Sequence, residues 1–139
     1  MPTGGQSLAG LRVLVAEDDD IVSTAICDCL AGAGYEIVAT SDTGVGAVEA
    51  ALALRPDLIL MDVRLKGEMD GIRASELINE RLRIPVVYLT GESDRRTLQR
   101  AKAASAFGYV LKPFHVRNLL AAIEVAVDRF EMERRSEDP

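Results

Sequence analysis

Five short apolar runs, each followed by a stretch with helical spacing, constrain this chain most. The runs are Leu11–Ala16, Glu36–Thr40, Leu58–Met61, Val86–Leu89 and Phe107–Leu111. Four are continuous rather than alternating, which suits strands covered on both faces. Glu36–Thr40 is the weaker one and reads as an edge strand. Between and after them, Ile21–Leu30, Thr43–Leu54, Ile72–Leu82, Ser93–Ala104 and a last segment from near His115 towards Arg135 read as helices. Gly32 and Gly34 stop the first of these, and Pro56 the second. Strand–helix alternation repeated five times predicts an α/β fold of (βα)5 type, a doubly wound parallel sheet with helices on both faces. The 139 residues suit one domain with a real core, and 48% hydrophobic with 27% charged residues speaks against disorder. Trp is absent and aromatics are few, so Leu, Val, Ile and Ala must fill that core.

In such sheets, ligands sit beyond the carboxyl ends of the strands. The residues just past each run therefore matter most. They are Glu17, Asp18 and Asp19 after the first, Asp62 after the third, Thr90 after the fourth and Lys112-Pro113 after the fifth. Carboxylates gathered at one sheet edge repel each other unless a cation offsets them, and hard oxygen ligands favour Mg²⁺ or Mn²⁺ over Zn²⁺. Lys112 adds a mobile ammonium and Thr90 a hydroxyl donor. Together these groups suit a phosphoryl ligand, with Asp62 placed to act as a nucleophile. Asp19 and Asp20 stand where a helix begins and are read as capping and helix-dipole acids rather than ligands. Asp70-Gly71 reads as a turn and helix start.

The stretches "VLVAEDDD", "DLILMDVRL", "VVYLTGES" and "GYVLKPF" resemble the four signatures of the receiver domain of two-component response regulators. They occur in that family's order and spacing from about Leu11 to about Arg129. The resemblance implies a flavodoxin-like sheet of strand order 2-1-3-4-5. It implies that Asp62 is the phosphoacceptor, that Asp18 binds Mg²⁺ directly and that Glu17 assists it. The backbone carbonyl of Arg64 would be a further metal ligand. Thr90 and Lys112 would bind the phosphoryl group, and Thr90 and Tyr109 would form the switch pair. A plain core aromatic remains the other reading of Tyr109. The implied partners are a sensor histidine kinase or phosphotransfer protein, and a downstream protein or attached output domain. The implied layout is a disordered tail over residues 1–8, the receiver domain over 9–130, and a helix extension and tail over 131–139.

The chain departs from the family pattern in two places. "DVRLKGEMDG" has Leu65-Lys66 where a Met-Pro pair is common, and one extra residue before Asp70-Gly71. That loop is expected to be shaped differently and to be more flexible. Arg64 and Glu92 are expected to rim the pocket, pair across its mouth and lengthen the life of the phosphate.

The net charge of −6 argues against nucleic acid or an anionic membrane as a direct partner. No membrane-length apolar run and no leader pattern is visible, so a cytoplasmic protein is expected. Cys27 and Cys29 are two apart, too close to bridge on one helix, and read as reduced small side chains. Lys66, Arg95, Arg96 and Arg100 read as a solvated face. In the last helix Val116, Leu120, Ile123, Val127 and Phe130 form a heptad-like stripe. It suggests a homodimer through the fourth helix, fifth strand and fifth helix. Two rivals stand beside the receiver reading. An Asp-nucleophile, Mg²⁺-dependent phosphohydrolase usually needs a second acid two residues after the nucleophile, where this chain has Arg64. A degenerate receiver that only binds partners would not need the complete set of Asp18, Asp62, Thr90 and Lys112.

Overall fold

The computed structural model describes residues 8–91, 96, 99 and 106–137. Within them the chain runs β1 (Arg12–Ala16), α1 (Asp20–Gly32), β2 (Glu36–Ser41), α2 (Gly44–Leu54), β3 (Leu58–Asp62), α3 (Gly71–Asn79), β4 (Val86–Gly91), β5 (Gly108–Lys112) and α4 (Val116–Glu137). The helix expected over Ser93–Ala104 lies, but for Arg96 and Gln99, outside the described residues. All strand pairs are parallel, in the order β2-β1-β3-β4-β5. This is the doubly wound parallel sheet expected from the sequence, in the strand order that the family resemblance implies.

Alternate residues along each inner strand feed two cores, because successive side chains leave a strand on opposite faces. Leu14, Ala16, Ile59, Met61, Val86 and Tyr88 face one way, onto Ala47 and Ala51 of α2 and Ile72, Ala74 and Ile78 of α3. Val13, Val15, Leu58, Leu60, Val87 and Leu89 face the other way, onto Ile26 and Leu30 of α1 and Leu119, Ile123 and Ala126 of α4. Leu8 packs against this second core. Cys27 and Cys29 are free, partly buried beside it, and burial raises the pKa of both thiols.

Capping residues start the helices as the sequence suggests. The Asp19 carboxylate accepts from the Ile21 and Val22 amides at 2.8 and 3.2 Å, and Asp70 accepts from Arg73 at 2.8 Å. Arg12 closes the far end of α2, donating to the carbonyls of Leu54 and Arg55 at 2.8 and 2.9 Å. These are orphan C-terminal carbonyls that a cation suits.

Two expectations are corrected. The fifth run is not covered on both faces, because β5 is the second edge of the sheet. Val110 is buried under α4, whereas Tyr109 and Leu111 face the other side and are 42% and 46% exposed. The apolar stripe of α4 is also rotated. Val116 is 55% exposed, and the buried row is Leu119, Ile123, Ala126 and Phe130. Leu120 and Val127 flank that row. The row ends in an aromatic clasp. Phe130 meets Phe107 edge-on at 5.5 Å between centroids, and Arg129 lies 5.3 Å over the Phe107 ring. Among the described residues, no helix is long and apolar enough to cross a membrane.

Candidate functional site at the carboxyl end of the sheet

The carboxyl ends of β1, β3 and β5 lie at one edge of the sheet and deliver the residues there to one place. Asp62 closes β3, Lys112 closes β5, and Glu17-Asp18 follow β1 directly. Asp62 pairs in register with Leu89, so Thr90 stands one residue beyond it on β4. Glu17, Asp62 and Thr90 are almost fully buried, at 2%, 3% and 1% exposure.

Lys112 ties the carboxylates together. Its Nζ lies 2.9 Å from Asp62 Oδ2 and 3.1 Å from Glu17 Oε1. The remaining oxygens take backbone amides: Arg64 N–H donates to Asp62 Oδ1 at 3.0 Å, and Asp19 N–H to Glu17 Oε2 at 3.1 Å. Burial pushes the Glu17 carboxyl from its ordinary 4.5 up to about 7, and the neighbouring Asp62 adds to the rise. Burial works against the charge on Lys112. The hydrogen bonds and charges of Asp62 and Glu17 outweigh it, so the Lys112 pKa is raised.

The donor set fits a divalent cation. Glu17, Asp18 and Asp62 each bring a carboxylate oxygen within 4.8 Å of the others. With all three carboxylates ionised, the single ammonium of Lys112 would leave two negative charges for a cation to offset. All the donors are hard oxygens, which suits Mg²⁺ or Mn²⁺.

The fold gathers Glu17, Asp18, Asp62, Thr90 and Lys112, all expected from the sequence, at one sheet edge. Nothing in the sequence signals that Lys112 engages Glu17 as well as Asp62. Tyr109 is on β5 with an exposed side chain rather than a buried one. The Arg64 side chain is exposed, and Glu92, its expected partner at the rim, lies outside the described residues, as do Arg95 and Arg100. Gly71, expected from the sequence to lie at a turn and helix start, also lies against Asp62. A Cβ there would overlap the Asp62 carbonyl oxygen and come within 2.8 Å of Met61 Cγ. The Asp-Gly pair was the available signal, but the close approach itself is tertiary.

Comparison with known proteins agrees with this geometry. Residues 13–124 match the family model of the response regulator receiver domain. Over 120 residues the chain is 43% identical to a transcriptional regulatory protein, PdtaR, of Mycobacterium tuberculosis, covering 86% of this chain and 58% of the relative. It is 44% identical over 106 residues to a protein-glutamate methylesterase/protein-glutamine glutaminase of Archaeoglobus fulgidus, covering 74% of this chain and 30% of that one. The chain thus spans less than two thirds of these relatives. Among solved structures, the signal receiver domain of a modulated diguanylate cyclase from Desulfovibrio desulfuricans superposes with a TM-score of 0.82 at 33% identity, covering 88% of this chain and 97% of that one. Four signatures, a 2-1-3-4-5 sheet, a carboxylate–lysine site and these matches agree: the chain belongs to the receiver-domain family of two-component response regulators.

Proposed function

We propose that Asp62 accepts a phosphoryl group from a phosphohistidine on a sensor histidine kinase or phosphotransfer protein. An Asp62 oxygen attacks phosphorus, the O–P bond forms, and the N–P bond breaks with the imidazole as leaving group. The observation that carries this reading is the Lys112 ammonium clamped between the buried Asp62 and Glu17 carboxylates. Glu17, Asp18 and Asp62, with the Arg64 carbonyl, would hold Mg²⁺ or Mn²⁺, which would offset the charge of the phosphoryl oxygens.

The chain's own residues do the rest. The Arg64 amide orients the Asp62 carboxylate, and Lys112 moves from the carboxylate pair to a phosphoryl oxygen. Thr90 Oγ donates to the Gly91 carbonyl at a long 3.3 Å and is free to turn to a second phosphoryl oxygen. Tyr109 then fills the space that Thr90 leaves. The changed surface is that of the expected fourth helix and of β5 on the side away from α4, where Tyr109 and Leu111 offer exposed apolar area to a downstream protein, an output domain or a second copy of this chain. We place this activity in the cytoplasm, within a unit spanning residues 9–130, with residues 131–137 of α4 as an extension.

Incubation with acetyl phosphate and MgCl2, followed by intact-mass measurement, tests the reading. One phosphoryl adduct is expected, lost in Asp62→Asn. The absence of any adduct on the wild-type chain would support a binding module that works without phosphorylation.

A further inference from the structure

We propose that the turn Asp42–Gly44, between β2 and α2, is a positioning element for the phosphorylation site, acting through the backbone of Lys66. This rests on the reading of Asp62 and its metal ligands given above.

The loop from Val63 to Asp70 leaves the end of β3 and returns beside it, where the Gly71 amide donates to the Val63 carbonyl at 2.9 Å. Near its start, Arg64 gives its amide to Asp62 Oδ1. The middle of the loop is fastened to a different part of the fold. The Lys66 amide donates to the Asp42 carbonyl at 2.9 Å, and Thr43 and Lys66 form an isolated parallel bridge. Met69 is seated on Gly44: a Cβ at that glycine would come 2.7 Å from the Met69 carbonyl oxygen and 2.9 Å from its Cγ. Gly67, at φ +87°, makes the turn between these two attachments.

The Lys66 amide exists because this position is not proline, which would remove the donor. The departure from the family's pattern therefore brings its own restraint, and the loop expected to be flexible is fastened at its centre. The side chains contribute little. The Lys66–Asp42 ion pair spans 3.3 Å with both groups more than half exposed or nearly so, at 57% and 50%. Only Leu65 separates Lys66 from Arg64, so a displaced bridge reaches the Arg64 amide and carbonyl. Gly44 and Lys66 are positioning residues, not ligands.

Three variants test this: Gly44→Ala pushes Met69 away, Lys66→Pro removes the amide donor, and Lys66→Ala removes the ion pair while keeping the donor. The measurements are the Arg64 amide resonance in ¹⁵N-labelled, metal-free protein, and the MgCl2 dependence of both amide shifts and phosphorylation by acetyl phosphate. The Arg64 resonance is expected to move in Gly44→Ala and Lys66→Pro. The half-saturating Mg²⁺ concentration should rise about fivefold, equivalent to about 1 kcal/mol, with the rate at saturating Mg²⁺ little changed. Lys66→Ala should match the wild type. Folded Gly44→Ala and Lys66→Pro proteins with wild-type Mg²⁺ dependence and an unmoved Arg64 resonance would overturn the inference. So would Lys66→Ala weakening binding as much as Lys66→Pro. If Gly44→Ala does not fold, Lys66→Pro decides. A wild-type chain that binds no Mg²⁺ would overturn the metal-site reading itself, which is a different failure from variants that equal a wild type that does bind.

Discussion

Replacing Gly71 with alanine should damage both the fold and the site, whereas the same replacement at Gly32 should not. Gly71 opens α3 and is packed directly on the last residue of β3. Its added methyl would overlap the Asp62 carbonyl oxygen, and would sit 2.8 Å from Met61 Cγ and 3.0 Å from the Asp62 carbonyl carbon. Two of these three atoms are backbone, and Met61 is fully buried, so neither side can yield cheaply. Relief requires β3 or α3 to move by a sizeable fraction of an ångström, which overpacking data put at about 1–3 kcal/mol. The better helix propensity of alanine returns at most about 1 kcal/mol. The net loss is about 2 kcal/mol at the upper end, or about 8 °C in Tm for a domain of this size. Gly32, in the last turn of α1, has no atom within 4 Å of a built Cβ and no left-handed φ. There alanine should be neutral or stabilising by about 0.5–1 kcal/mol. Thermal melts followed by circular dichroism, run on both variants beside the wild type, give the comparison. A Gly71→Ala protein that melts above the wild-type temperature would refute the close-packing argument. So would equal shifts in the two variants.

Other consequences concern charge and capping. Lys112→Ala leaves Glu17 and Asp62 buried beside each other without their ammonium. Removing one partner of a buried pair costs about 3–5 kcal/mol, and because the Lys112 side chain is 26% exposed the loss should fall nearer 2 kcal/mol. MgCl2 should restore part of that loss, seen as a larger Tm gain on adding the salt than the wild type shows; an equal gain would contradict the shared-charge account. Arg12→Ala should cost about 1 kcal/mol in chemical denaturation, because the carbonyls of Leu54 and Arg55 lose their cationic donor. An unchanged denaturation midpoint would show that water replaces Arg12 without penalty.

The fold was legible because local patterns and global topology agree in this chain. Continuous apolar runs such as Leu58–Met61 have no solvent-facing residue to interrupt them, and the parallel sheet follows. Asp19 and Asp70 announced helix starts because a short acid before an apolar turn has one favourable use. The edges of the sheet were harder to read. Phe107–Leu111 looks as apolar as the inner strands, and only its place at the end of the strand order makes Tyr109 and Leu111 exposed. The stripe of α4 is off by one residue at two positions, Leu119 for Leu120 and Ala126 for Val127, because Leu119 and Leu120 are adjacent and both apolar. Packing, not periodicity, decides which of them is buried. Within the site, residue types and spacing gave the carboxylates, the hydroxyl and the lysine. They did not give the contact of Lys112 with Glu17, which joins positions 95 residues apart. Nor could they give the bridge from Lys66 to Asp42, since a backbone amide leaves no mark in the sequence beyond the absence of proline.

The most direct test of the central claim is the mass of the intact chain after exposure to acetyl phosphate and MgCl2, compared with Asp62→Asn treated alike. One phosphoryl adduct, dependent on the metal, is expected on the wild type and none on the variant. An adduct that persists in Asp62→Asn, or a wild type that takes up none, would contradict it.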